Sequence, residues 1–231
     1  MGSPVVSFTF DNASQGALAY GGAILERYGT HGTYYLSADA NGAASTYKLD
    51  AATLRGIHAS GHEVGCHVAA VRNLGAQIDR NLAEIQSVLP NVGVEHFAYP
   101  PGRVTRESRR LVAARFRTGR SLHPGINRGR VDSAALLANK LCGPAEIYRQ
   151  AIVLIHDVAS RGGWLIFSTQ DVSHSPGASG AHALAFEHVV RVAADAGCLL
   201  QPIGVAARSL VARPGSTHPS RDGFPKGRTP E

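Results

Sequence analysis

Cysteine is scarce in this sequence, and its few copies are far apart. Cys66, Cys142 and Cys198 each lie in an apolar or strand-like stretch of the 231-residue chain. Their spacing provides neither a disulfide framework nor a CxxC pair that could bind a metal. We therefore expect ordinary buried thiols at these positions.

Long apolar runs are also missing. No run approaches the roughly 18 to 20 residues that a membrane helix needs, so we expect no membrane span. The chain opens directly on a strand pattern, without the charged, apolar and small-residue regions of a signal peptide. The sequence as it stands indicates a soluble, cytoplasmic protein. A chain trimmed of its leader would look the same, and it would be secreted or periplasmic.

Acidic residues are outnumbered by basic ones, and the formal net charge is +6. The arginines are scattered, and "RESRR" (106–110) and "RFRTGR" (115–120) form the densest basic stretch. This stretch lacks the series of aromatic residues that would stack on bases, so we expect no nucleic acid partner. An anionic glycan or a phosphate is the better candidate for an anionic ligand.

Strand and helix patterns alternate along the chain, without an internal repeat. Strands are predicted at 4–10, 32–38, 62–68, 94–100, 117–122, 163–169 and 198–203. Helices are predicted at 15–29, 50–61, 76–89, 105–116, 144–160, 181–197 and 204–212, with "HPGINRG" as a loop. This order predicts one α/β domain over residues 1–212, with about seven parallel strands closed or nearly closed into a barrel. Residues 213–231, rich in Pro, Gly and charge, indicate a flexible tail.

The carboxyl ends of the strands in such a barrel face one mouth, which is where α/β barrels place their chemistry. The residues that the pattern brings to this mouth are Asp11 and Asn12, Cys66 and His67, Tyr99 to Gly102, and Thr169 to Asp171. These four loops are the place to look for a site.

Several of these strand ends resemble motifs of the polysaccharide deacetylases of carbohydrate esterase family 4, the NodB-type proteins. "SFTFDN" resembles the TFDD motif, "GHEVGCHVAAV" the GHEIGNHTxxH stretch, and "FAYPPG" the FRPPYG corner. "GGWLIFSTQDVSHSP" is similar to the segment that usually ends in FYTHDVS. The resemblance spans about residues 4–210 in the right order. It implies a deformed (β/α) barrel and the removal of acetyl groups from N-acetylated sugars in chitin, peptidoglycan or related polysaccharides.

The metal ligands of that family are only partly present. Asp11 matches the aspartate that acts as catalytic base, and His67 matches the first metal-binding histidine. Asn12 stands where the family has a metal-binding carboxylate, and Val71, which has no donor atom, replaces the second histidine. We therefore expect no cofactor; zinc or another divalent metal would bind only if the site were rebuilt.

Other catalytic positions differ as well. Pro101 replaces a tyrosine whose backbone N–H would stabilise the oxyanion, and proline has no N–H. Gln170 replaces the histidine that would protonate the leaving amine, and an amide cannot exchange a proton near neutral pH. Ala98 lies where the family often has an arginine that holds the catalytic aspartate, although relatives also tolerate alanine there.

The leading hypothesis is a pseudoenzyme that keeps at most a glycan-binding cleft or a scaffolding role. Tyr99, Pro100 and His174 are the candidate cleft residues. Aromatic rings near the strand ends, Tyr34, Tyr35, Tyr99 and Trp164, are either a stacking platform for sugars or core residues. For Trp164, in an all-apolar stretch, we favour the core.

Two alternatives remain open. One is an active deacetylase with a rebuilt metal site that uses His174, or with metal-free chemistry based on Asp11 and His67. The other is a protein with a protein partner that binds the basic "RESRR" helix. More ordinary interpretations are that Asp11 caps a loop and that His67 is a hydrogen-bonded, semi-buried histidine.

Overall fold

The structure is a computed structural model that describes residues 2–12, 14–37, 50–68, 72–100 and 104–210. Its strands are β1 (Pro4–Asp11), β2 (Thr33–Leu36), β3 (Glu63–His67), β4 (His96–Ala98), β5 (Thr118–Arg120), β6 (Ile126–Asn127), β7 (Asn139–Lys140), β8 (Gly163–Thr169), β9 (Asp171–Ser173), β10 (Gly180–His182) and β11 (Leu199–Leu200). The end of the predicted domain at residue 212 and the predicted tail lie outside the described residues.

The main sheet has the strand order β5-β4-β3-β2-β1-β8-β6, with β11 beside β1 and β7 beside β8. All its pairs are parallel except β6 with β8, so the sheet is mixed. The sheet curls into the deformed barrel that the sequence predicts. A separate parallel pair, β9 and β10, lies outside it.

A short segment, residues 136–141, bridges the two edges of the curled sheet. On one side Ser121 N–H donates to the Leu136 carbonyl at 2.8 Å, and Ala138 N–H donates to the His123 carbonyl at 2.9 Å. On the other side β7 pairs with β8, and Leu141 N–H donates to the Ser168 carbonyl at 2.8 Å. The barrel is thus nearly closed between β5 and β8, although two-residue strands are too short to show a periodic pattern in the sequence.

The helices cover the outer face of the sheet and one end of the barrel. They are a π-helical segment (Ala17–Gly22) that continues into α1 (Ala23–Arg27), then α2 (Ala51–Ala59), α3 (Leu74–Val88), α4 (Arg106–Arg115), a 3-10 turn (Ser133–Ala135), α5 (Ala145–Arg161), α6 (Ala183–Asp195) and α7 (Ile203–Leu210). Every predicted helix is present. The predicted cap of α2 is confirmed, because the Asp50 carboxylate accepts from Ala52 N–H and Thr53 N–H.

The loop prediction for "HPGINRG" is partly wrong, since Ile126 and Asn127 form β6. Its register is set by polar side-chain bonds rather than by an apolar pattern. The Asn127 side-chain amide donates to the Leu137 and Trp164 carbonyls at 3.0 and 3.1 Å.

No helix in the described ranges is long and apolar enough to cross a membrane. The three cysteines are free thiols; Cys66 and Cys198 are buried, whereas Cys142 is only partly so.

Alternation along β1 and β8 separates an inner from an outer core. On β1, Val5 packs inside the barrel, and Val6 and Phe8 pack against the helices outside. On β8, Trp164 and Ile166 belong to the inner cluster. Because strand side chains alternate between faces, the last inward positions are Asp11 at the end of β1 and Ser168 near the end of β8. The same rule therefore places both residues at the barrel mouth.

Helix α7 closes the opposite end of the barrel, where the strands begin. Ile203 and Ala206 belong to the inner core, and Ile203 N–H donates to the Thr33 hydroxyl at 2.9 Å. The Glu63 carboxylate accepts from Gly204 N–H at 2.9 Å and from the Thr33 hydroxyl at 2.7 Å. A carboxylate on the first turn of a helix also faces the positive end of the helix dipole.

Gly204→Ala tests this end of the barrel. A β-carbon at residue 204 would overlap Glu63 Oε1 and lie 2.8 Å from His96 Nε2. We expect the free energy of unfolding to fall by about 1–3 kcal/mol, the usual cost of overpacking a filled site. In a Glu63→Ala background the same change should cost less, because the closer overlap is gone and only the contact with His96 remains. Equal costs in the two backgrounds, measured by urea unfolding, would contradict this account.

Candidate active site at the barrel mouth

Asp11 ends β1 at the centre of the mouth, and both its carboxylate oxygens have partners. Oδ1 forms an ion pair with the Arg120 guanidinium, and Oδ2 accepts a hydrogen bond from the Ser168 hydroxyl at 3.1 Å. Asp11 is 6% exposed and Arg120 is fully buried. Burying either charge alone would carry a large desolvation penalty, and the attraction between the two opposite charges in contact offsets it. Asp11 is thus fixed by side chains from two other strands.

Arg120, like Ser168, is a site residue that the sequence analysis missed. It lies on β5 directly beside Ala98 of β4, the position where the resemblance described above implies an arginine. The guanidinium carbon is 5.0 Å from the centre of the Tyr35 ring, which covers it. The cation next to Asp11 is therefore supplied by the neighbouring strand. A charged residue inside the short predicted strand 117–122 was the available signal.

His67 ends β3 and is buried beside Asp11. Its Nδ1 lies 2.9 Å from the Ala98 carbonyl oxygen, so Nδ1 carries the proton and donates, which leaves Nε2 as the acceptor. Burial lowers the pKa of His67 below its usual range, against a raising effect of the Asp11 carboxylate. The imidazole is therefore neutral at pH 7, the form in which histidine binds a metal.

Asn12 follows Asp11 in a left-handed backbone conformation, with φ of +52°. Asparagine tolerates this conformation better than most residues. Its backbone N–H donates to the Tyr35 carbonyl at 2.9 Å, which continues the β1–β2 pairing by one residue. The side-chain oxygen Oδ1 is buried and has no hydrogen-bond partner. A neutral acceptor thus stands where a carboxylate would be needed to attract a divalent cation.

The donor set does not fit a catalytic zinc. Zinc in such sites takes three protein ligands, with a water as the fourth. His67 Nε2 and Asn12 Oδ1 offer one imidazole and one weak amide oxygen, and the carboxylate of Asp11 is held by Arg120 and Ser168. No cluster of three His, Cys, Asp or Glu residues that could hold a metal occurs in the described part of the chain.

The remaining predicted catalytic positions are only partly visible. Gln170 directly follows β8 and is partly exposed, and its backbone N–H donates to the Ser179 carbonyl at 3.1 Å. Next to it, the Asp171 carboxylate accepts from the Ser14 hydroxyl. Val71 and Pro101 lie outside the described residues.

The aromatic-platform interpretation is corrected by the structure. Trp164, Tyr34, Tyr35 and Tyr99 are all at most 2% exposed, so no ring among them has a face open to a sugar. The Tyr99 hydroxyl donates to the Ala134 carbonyl, and Trp164 Nε1 donates to the Ser7 hydroxyl. Pro100 is buried as well. These rings are core residues, because each belongs to one of the buried hydrophobic clusters on the two faces of the sheet.

His174 does not join the group around Asp11. It is exposed after β9, where its ring contacts those of Tyr20 and His182 at centroid distances of 5.1 and 6.0 Å. The His174 ring thus packs against Tyr20 and His182 rather than against Asp11 or His67. The candidate site therefore consists of Asp11, Asn12, His67, Arg120 and Ser168.

A double-mutant cycle on Asp11 and Arg120 measures the ion pair on which this site is built. We expect Arg120→Met alone to cost about 3–5 kcal/mol in the free energy of unfolding, because it leaves a buried carboxylate uncompensated. Asp11→Ala combined with Arg120→Met should cost less than the sum of the single changes, by about 1–3 kcal/mol. Additive costs in denaturant unfolding would show that the pair is not coupled.

Comparison with known proteins supports the same assignment as the fold. The family model described as polysaccharide deacetylase matches residues 1–116, half of the chain. Comparison with curated protein sequences gave no match. One similar solved structure is a mutant of BA3943, described as a carbohydrate esterase family 4 pseudoenzyme with restored enzymatic activity. It has a TM-score of 0.57 and 16% identity over 89% of this chain and 68% of its own.

Two further structures are similar at comparable levels. The carbohydrate esterase family 4 domain of a xylanase from the hindgut metagenome of Trinervitermes trinervoides has a TM-score of 0.58 and 14% identity, covering 88% of this chain and 89% of its own. The peptidoglycan deacetylase PdaC from Bacillus subtilis has a TM-score of 0.53 and 15% identity, covering 90% and 91%. At such low identity these likenesses show the fold. Together with the family model, they show that the chain belongs to the polysaccharide deacetylase family.

Proposed function

We propose that the chain is a deacetylase-family protein that holds no catalytic zinc, does not hydrolyse N-acetyl groups, and keeps at most a glycan-binding cleft at the barrel mouth or a scaffolding role. Two facts together carry the proposal. Asn12 offers only a neutral amide, and the Asp11 carboxylate beside it is already bound to Arg120 and Ser168. Without a concentrated negative charge, the mouth has little attraction for a divalent cation.

The replaced residues support this proposal because they affect different steps of one reaction. Val71 removes a metal ligand, and Gln170 removes the proton donor for the leaving amine. Pro101 removes a backbone donor to the oxyanion. A single change of this kind would fit a tuned enzyme. Changes to metal, acid and oxyanion groups together fit the loss of hydrolysis with retention of the fold.

A similar protein lends weight to the idea that this fold exists without its activity. The BA3943 structure is described as that of a pseudoenzyme whose activity was restored by mutation. Fold and activity are thus separable in that relative, as is general for common folds. For the present chain, restored metal binding is accordingly the property to test first.

The alternative is an active N-acetyl-glycan deacetylase with a non-standard site. One observation favours it: the cation beside Asp11 is present on β5, so the charge environment of the base position is kept although Ala98 replaced the usual arginine. This alternative predicts release of acetate from an N-acetylated oligosaccharide by the native chain.

The basic helix α4 supports a protein partner less well. Arg109 is paired with Asp132 at 2.8 Å, so part of the charge of "RESRR" is already neutralised within the chain. Arg106 and Arg110 are exposed. An acidic partner would meet these two cations on the outside of the barrel, away from the mouth.

Metal retention separates the proposal from its alternative. After loading with zinc and desalting, the native chain should retain no stoichiometric metal. The double change Asn12→Asp and Val71→His should retain about one zinc per chain, because it supplies the missing carboxylate and imidazole. Metal content by mass spectrometry is the readout. One zinc held by the native chain would contradict the proposal.

Acetate release completes this test. With chitotetraose as substrate, we expect no enzymatic acetate from the native chain, with or without added zinc. The triple change Asn12→Asp, Val71→His and Gln170→His should release acetate measurably above the double change, since it also restores the general acid. Asp11→Ala in the triple background is the matched control, because it removes the base. Acetate from the native chain that Asp11→Ala abolishes would establish the alternative.

A further inference from the structure

Lys140 is an exposed cation next to the site, and the function proposed above does not use it. It is the last residue of β7 and the one lysine in the described part of the chain. No described carboxylate forms an ion pair with it. A lysine without a partner keeps its charge available for a ligand.

Two register arguments place Lys140 on the inner face of the barrel. Along its own segment, Leu136 and Ala138 belong to the inner core, and Lys140 is the next residue with the same alternation. Across the sheet, Lys140 is the parallel partner of Ser168, whose hydroxyl donates to Asp11. Residues paired in this way lie on the same face, in strands about 4.8 Å apart. Lys140 is therefore at the mouth, beside Asp11.

The electrostatics of Cys142 agree with this placement. Burial raises the pKa of the Cys142 thiol, the Lys140 ammonium lowers it, and the Asp11 carboxylate raises it. The pKa of this one thiol is thus affected by both charged groups.

Among the described charged side chains around Asp11, Lys140 is the cation without an ion pair. Asp11 is matched by Arg120, and Lys140 adds a second, unmatched cation. Arg120 also has an unpartnered buried Nε. The other described carboxylate at these strand ends, Asp171, is engaged by the Ser14 hydroxyl. That hydroxyl is neutral, so Asp171 keeps its charge and these four side chains balance. The Lys140 ammonium, which forms no ion pair with a described carboxylate, is the group left to attract a negatively charged ligand group.

We propose that the mouth binds a glycan that carries a carboxylate, and that the Lys140 ammonium, exposed beside Ser168, contacts that carboxylate. This inference rests on the proposed glycan-binding function and names its ligand class. A carboxylate suits the site better than a phosphate does, because one compact ammonium matches one negative charge. Phosphate sites more often use a free, bidentate guanidinium, and the guanidinium of Arg120 is already bound to Asp11.

A pair of oligosaccharides that differ in carboxylates tests the proposal. One is a tetrasaccharide of alternating N-acetylglucosamine and glucuronate; the other is chitotetraose, which carries N-acetyl groups only. We expect calorimetry to show that the native chain binds the first about tenfold more tightly, or better, as a hydrogen bond to a charged group allows. Added salt should reduce this preference.

Charge reversal locates the contact. Lys140→Glu should abolish the preference for the glucuronate-containing ligand while leaving the affinity for chitotetraose within about twofold, because only the charged contact is lost. Arg191→Glu, on the outer helix α6, is the matched control; it changes the net charge equally and should leave the preference intact. Circular dichroism confirms folding of both variants.

The outcomes separate this proposal from the one on which it rests. Equal affinity for the two ligands, or a preference that survives Lys140→Glu, would overturn the carboxylate inference and leave glycan binding in place. No binding of either ligand would overturn both. Sodium acetate and inorganic phosphate are tested alone: if either binds as tightly as the glucuronate ligand, the site recognises a free anion and the glycan assignment is wrong.

Discussion

The buried ion pair between Asp11 and Arg120 is the interaction on which the rest of the mouth depends. It joins β1 to β5 across the barrel, and Ser168 of β8 completes the carboxylate's hydrogen bonds. Because a fully buried guanidinium must be compensated, the pair fixes the strand ends relative to each other. The pair also occupies the Asp11 carboxylate, the one carboxylate in the candidate site. The same interaction that organises the site therefore leaves few ligand atoms free to bind a metal.

Strands β4 and β5 both contribute to the surroundings of Asp11 and His67. Ala98 and Arg120 are direct neighbours in the sheet, so a side chain on either strand can reach Asp11. His67 is held by the carbonyl of the same Ala98, at 2.9 Å. The backbone of β4 thus orients the histidine, while the guanidinium beside Asp11 comes from β5. The proposed loss of metal chemistry thus leaves Asp11 and His67 in place and concerns Asn12 and the position of Val71.

Sequence reasoning predicted the barrel and the placement of Asp11 and His67 at strand ends, because long strands and helices carry strong periodic signals. It missed Arg120 and Lys140, which lie on strands of three and two residues. Their roles follow from pairing between strands distant in the sequence, which no local pattern encodes. It also left open whether the aromatic rings were exposed. Only the packing of Tyr99 under Ala134 and of Trp164 on Ser7 decides that they are core residues.

The central claim is that the mouth does not hold zinc, and the imidazole of His67 reports on this directly. In a sample labelled with nitrogen-15 in histidine, with His67→Gln to assign the signal, zinc is added to one equivalent while the ring nitrogens of His67 are followed by magnetic resonance. The account predicts that the Nε2 resonance stays at its position for neutral imidazole. A shift of that resonance to the position of a metal-bound nitrogen, complete at one equivalent, would contradict it.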